Sequence, residues 1–338
     1  MTDRHKPQPS YAPALMAVGL TGLLWGLVTS WIVSAIGLVV TGTAAALWIG
    51  DFGVGQPAAP RETRSKVRAA ALPSAPQAIS TPWVHRSALL LAIATLLLVV
   101  LGAGVTSRAG RAWEVSHLLV GATVGALTLI RALLVRNRFG WMLLAAVHVQ
   151  AMLGNRIPAV AVFHAFLAQM FFVATVALAL VTSKSWKRAP EIAQDTAKPS
   201  LHTWSLITVF LVAAQVALGA AVRHKVMGAG IHITGALVVA LAIVILGMLV
   251  VNQFPEHRTL RSAAIAMMVI AGAQVFLGFG AFIVRMMGLD ENTLPVQIAT
   301  MAHVTTGALT FASTVVLALE IRRHLRPAAT ESTDAVRP

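Results

Sequence analysis

The chain has 338 residues, of which 57% are hydrophobic and 11% charged, with a formal net charge of +14 and no cysteine; its mean hydropathy is +0.77. Soluble domains carry about 25% charged residues, and several apolar stretches here exceed the roughly 18 residues that read as a membrane span. A soluble enzyme is therefore excluded, as are a porin-like barrel of alternating strands of about 10 residues and any disulfide, thiolate metal site or cysteine nucleophile.

From Ala14 to Asp51 the sequence is almost uncharged, too long for one helix crossing about 30 Å at 1.5 Å per residue. Residues 1–51 are expected to form an N-terminal membrane hairpin, with two helices within 13–50 bent near Thr29–Val33, or one span followed by an interfacial helix. A cleaved signal peptide is not expected, because its apolar run is only about 7–15 residues. Residues 52–84 change character, with Gln56-Pro57-Ala58-Ala59-Pro60, Arg61, Arg64, Lys66, Arg68, Pro73, Pro76 and Pro82. They read as a flexible basic linker.

Eight spans follow, at 86–106, 114–134, 140–155, 159–182, 203–222, 230–251, 261–285 and 296–320, the third of them short. They fall into two four-helix halves, 85–202 and 203–326, and 327–338 reads as a disordered tail. Loops after the even-numbered spans carry Arg131, Arg136, Arg138, Lys184, Lys187, Arg188, Lys198, Arg258, Arg261, Arg322, Arg323 and Arg326. Loops after the odd-numbered spans carry only Arg108, Arg111, Arg156, Arg223, Lys225 and Arg285. The positive-inside rule then puts the linker and both termini in the cytoplasm of a multi-pass protein of the inner membrane. The basic excess is a topology signal, so no nucleic-acid partner is expected.

An internal repeat marks the odd-numbered spans. Gln150-Ala-Met-Leu-Gly154, Gln215-Val-Ala-Leu-Gly219 and Gln274-Val-Phe-Leu-Gly278 close three of them, and Leu98-Val-Val-Leu-Gly102 closes the first without the Gln. An Arg follows each Gly: Arg108, Arg156, Arg223 and Arg285. The expected architecture is an all-α integral membrane bundle of eight helices, built from two pseudo-twofold-related four-helix halves and preceded by the hairpin, with a site between duplicated elements. Gln that bonds between helices and Gly that admits close backbones explain the repeat equally well.

His117, His164, His232 and His303 each lie near the start of an even-numbered span, so they form a layer at similar depth on the outer side. Isolated ionisable groups within a membrane point to a functional site. Two imidazoles on facing helices can take both axial positions of a haem iron whose plane is filled by pyrrole nitrogens. Zinc or copper would want its ligands clustered, and no His-x-x-His or His-x3-His pair occurs among the four. Two separated pairs, one per half, fit two porphyrins better than one compact metal site.

Gly121, Ala122, Gly125, Gly235, Gly307 and Ala308 leave room for a flat macrocycle or for tight helix packing. The four outer Arg side chains can pair with propionates or anchor lipid headgroups. Glu114 precedes His117 on the same helix face. It could accept a hydrogen bond, move a proton or stabilise a cation, or simply complement the helix dipole. The second half has Gly230-Ile231 before His232 instead, so the halves are not equivalent. His148 could touch a porphyrin or quinone, or bond within the core; His224 could meet a propionate. His5, His85, His202, His257 and His324 lie at span ends or in loops.

Trp83-Val-His-Arg-Ser-Ala and Gly102-Ala-Gly-Val-Thr-Ser107 with Arg108, Glu114-Val-Ser-His117, and His164-Ala-Phe-Leu-Ala-Gln-Met-Phe-Phe172 together resemble the haem A synthase family of cytochrome oxidase assembly proteins. So do Gly219-Ala-Ala-Val-Arg-His224 with His232, and Ala302-His303-Val-Thr-Thr-Gly307. The resemblance covers about residues 83–322. It implies haem b held as cofactor by His232 and His303, with Arg223 and Arg285 beside it. It also implies haem O as substrate near His117 and His164, with Arg108 and Arg156, and Glu114 as a catalytic residue of that chemistry. The implied reaction oxidises a haem O methyl to formyl by successive hydroxylations. The implied partners are a haem O synthase that hands over substrate, terminal oxidase subunits and a membrane electron donor, and a homo-oligomer is compatible with it. The chain departs from the family pattern in its brief loop from Ser107 to Glu114, its lack of cysteine, its short loop between the third and fourth spans, and Leu118 where Arg is common. A haem carrier or chaperone, or a di-haem electron-transfer cytochrome b, uses the same histidines without methyl oxidation.

Overall fold

The structure is a computed structural model that describes residues 15–16, 18–19, 22, 31–53, 82–154 and 157–327. The chain divides into two units, Met1–Thr81 and Pro82–Pro338. In the first, α1 spans Trp31–Gly53, and Leu15, Met16, Val18, Gly19 and Gly22 are also helical. A Cβ at Gly19 would meet the Thr41 amide at 2.5 Å, and one at Gly22 would meet Gly37 at 3.4 Å. Moving forward along one segment therefore moves backward along the other, so the two run antiparallel, as a hairpin requires. Of the expected bend at Thr29–Val33, residues 31–33 lie in α1 and the rest lie outside the described residues; of the expected linker 52–84, residues 52–53 end α1, residues 82–84 are helical, and 54–81 lie outside the described residues.

The second unit is mostly helical. Its helices are α2 (Pro82–Thr106), α3 (Arg111–Val135), α4 (Arg138–Met152), α5 (Pro158–Thr182), the single turn α6 (Lys184–Lys187), α7 (Leu201–Arg223), α8 (Ala229–Gln253), α9 (Arg258–Met286) and α10 (Leu294–His324). Seven of these are long and apolar enough to cross a membrane: α2, α3, α5, α7, α8, α9 and α10. They suggest a multi-pass membrane protein. The third expected span is not among these seven. Where 140–155 was predicted, α4 has 15 residues, about 22 Å at 1.5 Å per residue, short of the roughly 30 Å of hydrocarbon. The Asn137 side chain starts it by accepting from the Gly140 amide at 2.7 Å, and it stops at Met152, before Gly154.

The apolar sequence dictates an inside-out surface. Leu118, Phe210, Val269 and Ile231 are each more than 60% exposed, facing the solvent that a bilayer supplies. Packing inside relies on small residues that let helices approach: Ala88, Ala132, Ala264 and Ala308 are fully buried. Thr hydroxyls meet carbonyls of their own helix, as from Thr95 to Leu91 at 2.7 Å and from Thr128 to Val124 at 2.7 Å, which satisfies them without water. In the contact pattern, α2, α3, α4 and α5 close one ring of neighbours and α7, α8, α9 and α10 close another. The rings meet through α2, α5, α7 and α10, where Val99, Phe172, Val173, Val212 and Phe311 share one core cluster.

Two strands were not anticipated. β1 (Ala193–Asp195) pairs in parallel with β2 (Leu325–Pro327), tying the connector between the rings to the end of α10. Asp195 is buried and accepts from the amides of Leu201 at 2.6 Å and Ala197 at 3.1 Å, and Ser200 caps α7 by accepting from the Thr203 amide at 3.2 Å, so the helix starts slightly before the expected residue 203. Pro327 thus belongs to a strand rather than the expected tail, whose remaining residues 328–338 lie outside the described ones.

Arg131 is likewise not a loop residue. It lies on α3, is 4% exposed, and its guanidinium donates to the Val84 carbonyl at 2.8 Å and to the Ser87 hydroxyl. The charge therefore completes the start of α2. Arg131→Ala is expected to cost about 1–3 kcal/mol, the range for losing charged hydrogen bonds to buried acceptors. A thermal denaturation series in detergent checks this, with the exposed Arg138→Ala expected to melt as the parent does.

Candidate functional site

All four singled-out histidines are half-buried at one end of the second unit. α8 and α10 bring His232 and His303 together, with ring centroids 6.3 Å apart and ring planes at 84°. His117 on α3 and His164 on α5 are electrostatic neighbours. Among the described residues no group of three or more His, Asp or Glu could hold a metal ion unaided. Of the four, only the His232–His303 pair is in ring contact; His164 interacts electrostatically with His224 as well as with His117.

The glycines of the repeat explain how each pair is seated. A Cβ at Gly102 would meet Cε1 of His117 at 3.2 Å, one at Gly219 would meet Cε1 of His232 at 3.0 Å, and one at Gly278 would meet Cε1 of His303 at 2.7 Å. Each imidazole therefore rests on the bare backbone of the preceding long helix. Gly154 breaks the pattern, because it lies beyond the end of α4 and its Cβ would meet only the Ala151 carbonyl, at 3.4 Å. Gly278→Ala is expected to displace His303, since a contact of 2.7 Å cannot stand. Gly280→Ala, with nothing within 4 Å of its Cβ, is the matched control. The check is the absorption spectrum of any group bound to His303, shifted or lost in the first variant and unchanged in the second.

The glutamines of the repeat complete each seat. Gln215 Nε2 donates to the His232 carbonyl at 2.7 Å and lies 2.9 Å from its Nδ1. Gln150 Nε2 donates to the His164 carbonyl at 2.7 Å, and His164 Nδ1 lies 3.0 Å from the Gln150 carbonyl. Gln274 Nε2 lies 3.4 Å from His303 Nε2. Gly235 and Gly307, expected to leave room for a macrocycle, instead accommodate these amides: a Cβ there would meet Gln215 Oε1 at 2.5 Å and Gln274 Nε2 at 3.1 Å. Ala308 is fully buried in the core, while Gly125 keeps open space beside it.

The arginines diverge. Arg223 Nη2 donates to the Ser107 hydroxyl at 2.7 Å, joining the two rings, and its Nε is buried with no partner among the described residues. Arg285 binds Glu291 at 2.8 Å and Lys225 reaches the same carboxylate at 3.3 Å. Sequence reasoning missed Glu291; the only signal was an acidic pair, Asp290-Glu291, in a loop otherwise poor in acids. Burial works against its charged form, but Lys225 and Arg285 outweigh that and hold its carboxyl below the usual range. Because the folded-state value is depressed, its contribution is complete above the ordinary carboxylate value and is lost as pH falls through the folded value. Glu291→Gln is expected to lower stability at pH 7 by less than about 1 kcal/mol, as for a partly exposed ion pair. The two chains should converge in melting experiments at strongly acidic pH. Arg108 is exposed in a left-handed turn (φ 53°), its amide donating to the Val105 carbonyl at 3.0 Å and its side chain making no hydrogen bond or ion pair among the described residues. Arg156 lies outside them.

Glu114 sits in the first turn of α3, exposed, its carboxylate without a hydrogen bond or ion pair among the described residues. Leu118 is 72% exposed and turned away from the rings. His148 is exposed and bonds the Leu144 carbonyl of its own helix at 2.8 Å. His224 caps α7; burial lowers its imidazole below the ordinary value, with Arg223 and His164 adding to it. His85 bonds the Ala179 carbonyl at 3.1 Å, and His202 the Ile321 carbonyl at 3.3 Å. His257 and His324 stack edge to face at 4.7 Å, both against the Glu191 carbonyl, at the opposite end of the bundle.

These residues fit a porphyrin in three respects. The 6.3 Å between the His232 and His303 centroids is of the order of two metal–imidazole bonds of roughly 2.0 Å plus the two ring radii. Nδ1 of His117 and of His303 is buried without a partner among the described residues. The orphaned Nε of Arg223 is a buried cationic donor suited to a carboxylate. No protein-family model matches the chain, and no curated protein is significantly similar to it.

Proposed function

We propose that this chain is a membrane oxidase of the haem A synthase type, which binds haem b between His232 and His303 and, at a second pocket bounded by His117 and His164, converts a methyl group of haem O to formyl. The conversion takes two hydroxylations, each taking one oxygen atom from dioxygen while the other leaves as water with two electrons from a membrane donor, the resulting hydrate then losing water. The observation that carries the reading is the His232–His303 pair, 6.3 Å apart with crossed planes and backed by glycine on both sides. The ring-by-ring neighbour pattern, in which α2, α3, α4 and α5 correspond to α7, α8, α9 and α10, supports two pseudo-twofold halves, with α4 as the shortened member. The sparse positive charge of the loops at the histidine end supports an outward-facing site in the inner membrane, with cytoplasmic termini.

In this reading the bound haem b supplies one-electron chemistry. His232 and His303 hold it, the Arg223 guanidinium offers its free Nε to a propionate, and Arg285 stays neutralised by Glu291 at the rim. His117 and His164 orient the substrate. Glu114, one helical turn before His117, takes or returns a proton at the reacting face. The membrane-facing Leu and Ile surface excludes bulk water from both pockets.

Co-expression with a haem O synthase in a host lacking haem A tests the activity. Extracted haem should include haem A with this chain and not without it. Its absence, with the protein inserted and haem b bound, would favour a second reading, a haem carrier or di-haem cytochrome. The exposure of Glu114 and its lack of partners among the described residues favour that alternative.

A further inference from the structure

We propose that the groove at the start of α9 binds a phosphatidylethanolamine-type lipid, with its phosphate between Arg258 and Arg261, its ammonium toward Glu256 and an acyl chain over Ile265 and Val269. The groove holds about 660 Å³, and Ser262 joins these five residues in lining it. It is a different place from the paired histidines and independent of what they hold. Gly278, which seats His303, lies toward the far end of the same helix, about 30 Å from Arg258 at 1.5 Å per residue.

The sequence lays out the parts of the groove in order. Arg258, Arg261, Ser262, Ile265 and Val269 recur at the three- and four-residue steps that keep side chains on one helix face, and all five are exposed. α9 packs chiefly on α8 and α10, which leaves this stripe uncovered among the described residues. Val269 stands about 12 Å beyond Arg261, within the roughly 15 Å that one leaflet contributes to the hydrocarbon core. Cations at the helix start followed by two apolar turns therefore match the order of a headgroup and its chain.

Other cations at this end of the bundle are spent inside the protein. Arg131 donates to Val84 and Ser87, and Arg323 to the carbonyls of Trp186 and Arg188. The side chains of Glu256, Arg258 and Arg261 are exposed and make no hydrogen bond or ion pair among the described residues. Two guanidiniums suit a phosphodiester, which accepts charge-assisted bonds from both. The carboxylate beside them then chooses among phospholipids. A primary ammonium donates to it, a quaternary ammonium has no N–H to donate, and a glycerol headgroup brings no positive charge. The Ser262 hydroxyl already donates to the Thr259 carbonyl at 3.1 Å, so toward the groove it is a second acceptor.

The test is native mass spectrometry of the full-length protein titrated with phosphatidylethanolamine, phosphatidylcholine and phosphatidylglycerol of identical acyl chains. The ethanolamine lipid should bind about three- to fivefold more tightly than the other two, the upper worth of one exposed ion pair. Arg258→Gln and Arg261→Gln should each weaken all three lipids by about fivefold, as for one cation at a membrane surface. Glu256→Gln should erase the preference for ethanolamine over choline and leave binding of the choline lipid as it was. Arg136→Gln removes an exposed arginine at the same end but outside the groove, and should change nothing. Tighter binding of phosphatidylglycerol, increased further by Glu256→Gln, would show a site for net negative charge and overturn the proposal. Affinities indifferent to both arginine changes would overturn it equally, leaving an ordinary lipid-facing surface.

Discussion

Purified His232→Ala and His303→Ala proteins should each lose the low-spin haem b spectrum, with occupancy falling at least tenfold relative to the parent. The two rings face each other across 6.3 Å from different helices, and each is seated on a glycine that excludes any other side chain from its place. Removing either would leave a bound haem iron with one protein ligand. Disturbing a group that merely orients a metal ligand already costs 10–100-fold in affinity, so loss of the ligand itself should cost more. His148→Ala and His85→Ala are the controls. Their imidazoles bond the Leu144 and Ala179 carbonyls instead, and their spectra should match the parent. Unchanged low-spin spectra in both His232→Ala and His303→Ala would show that the haem, if any, is held elsewhere.

Glu114→Gln should separate binding from chemistry. The carboxyl sits on the exposed first turn of α3 with no partner among the described residues, so the amide is tolerated sterically and haem content should stay within error of the parent. General acid–base groups contribute about 10²–10⁴ in rate, and formyl production should fall by that order. A variant that loses haem along with product would make Glu114 structural. One that still makes haem A at the parental rate would remove it from the mechanism.

Hydropathy alone located the long helices because a bilayer demands an uninterrupted apolar run with every backbone group bonded internally. The same logic misjudged α4, where composition extended the span to 155 but Asn137 and the break before Gly154 confine the helix to Arg138–Met152. Polar pairings far apart in sequence were invisible. Arg131 reaches back to Val84, and β1 finds β2 across more than a hundred residues, neither of which any local pattern encodes. At the site, the histidine layer and the Gln-x-x-x-Gly repeat were both legible, but their connection was not. The Gln-to-His interval varies with loop length, from Gln150 to His164 up to Gln274 to His303, so no fixed spacing advertises that one motif holds the other. The glycines after His232 and His303 suggested space for a macrocycle, and the structure fills them with glutamine amides.

Pyridine haemochrome analysis of the purified full-length protein, expressed in a host that makes haem O, bears most directly on the paired-histidine pockets. Haem b at about one per chain together with a second, O- or A-type haem is the expected outcome. A protein that is inserted and monodisperse yet carries no haem, or carries haem that survives loss of both His232 and His303 and of both His117 and His164, would contradict it.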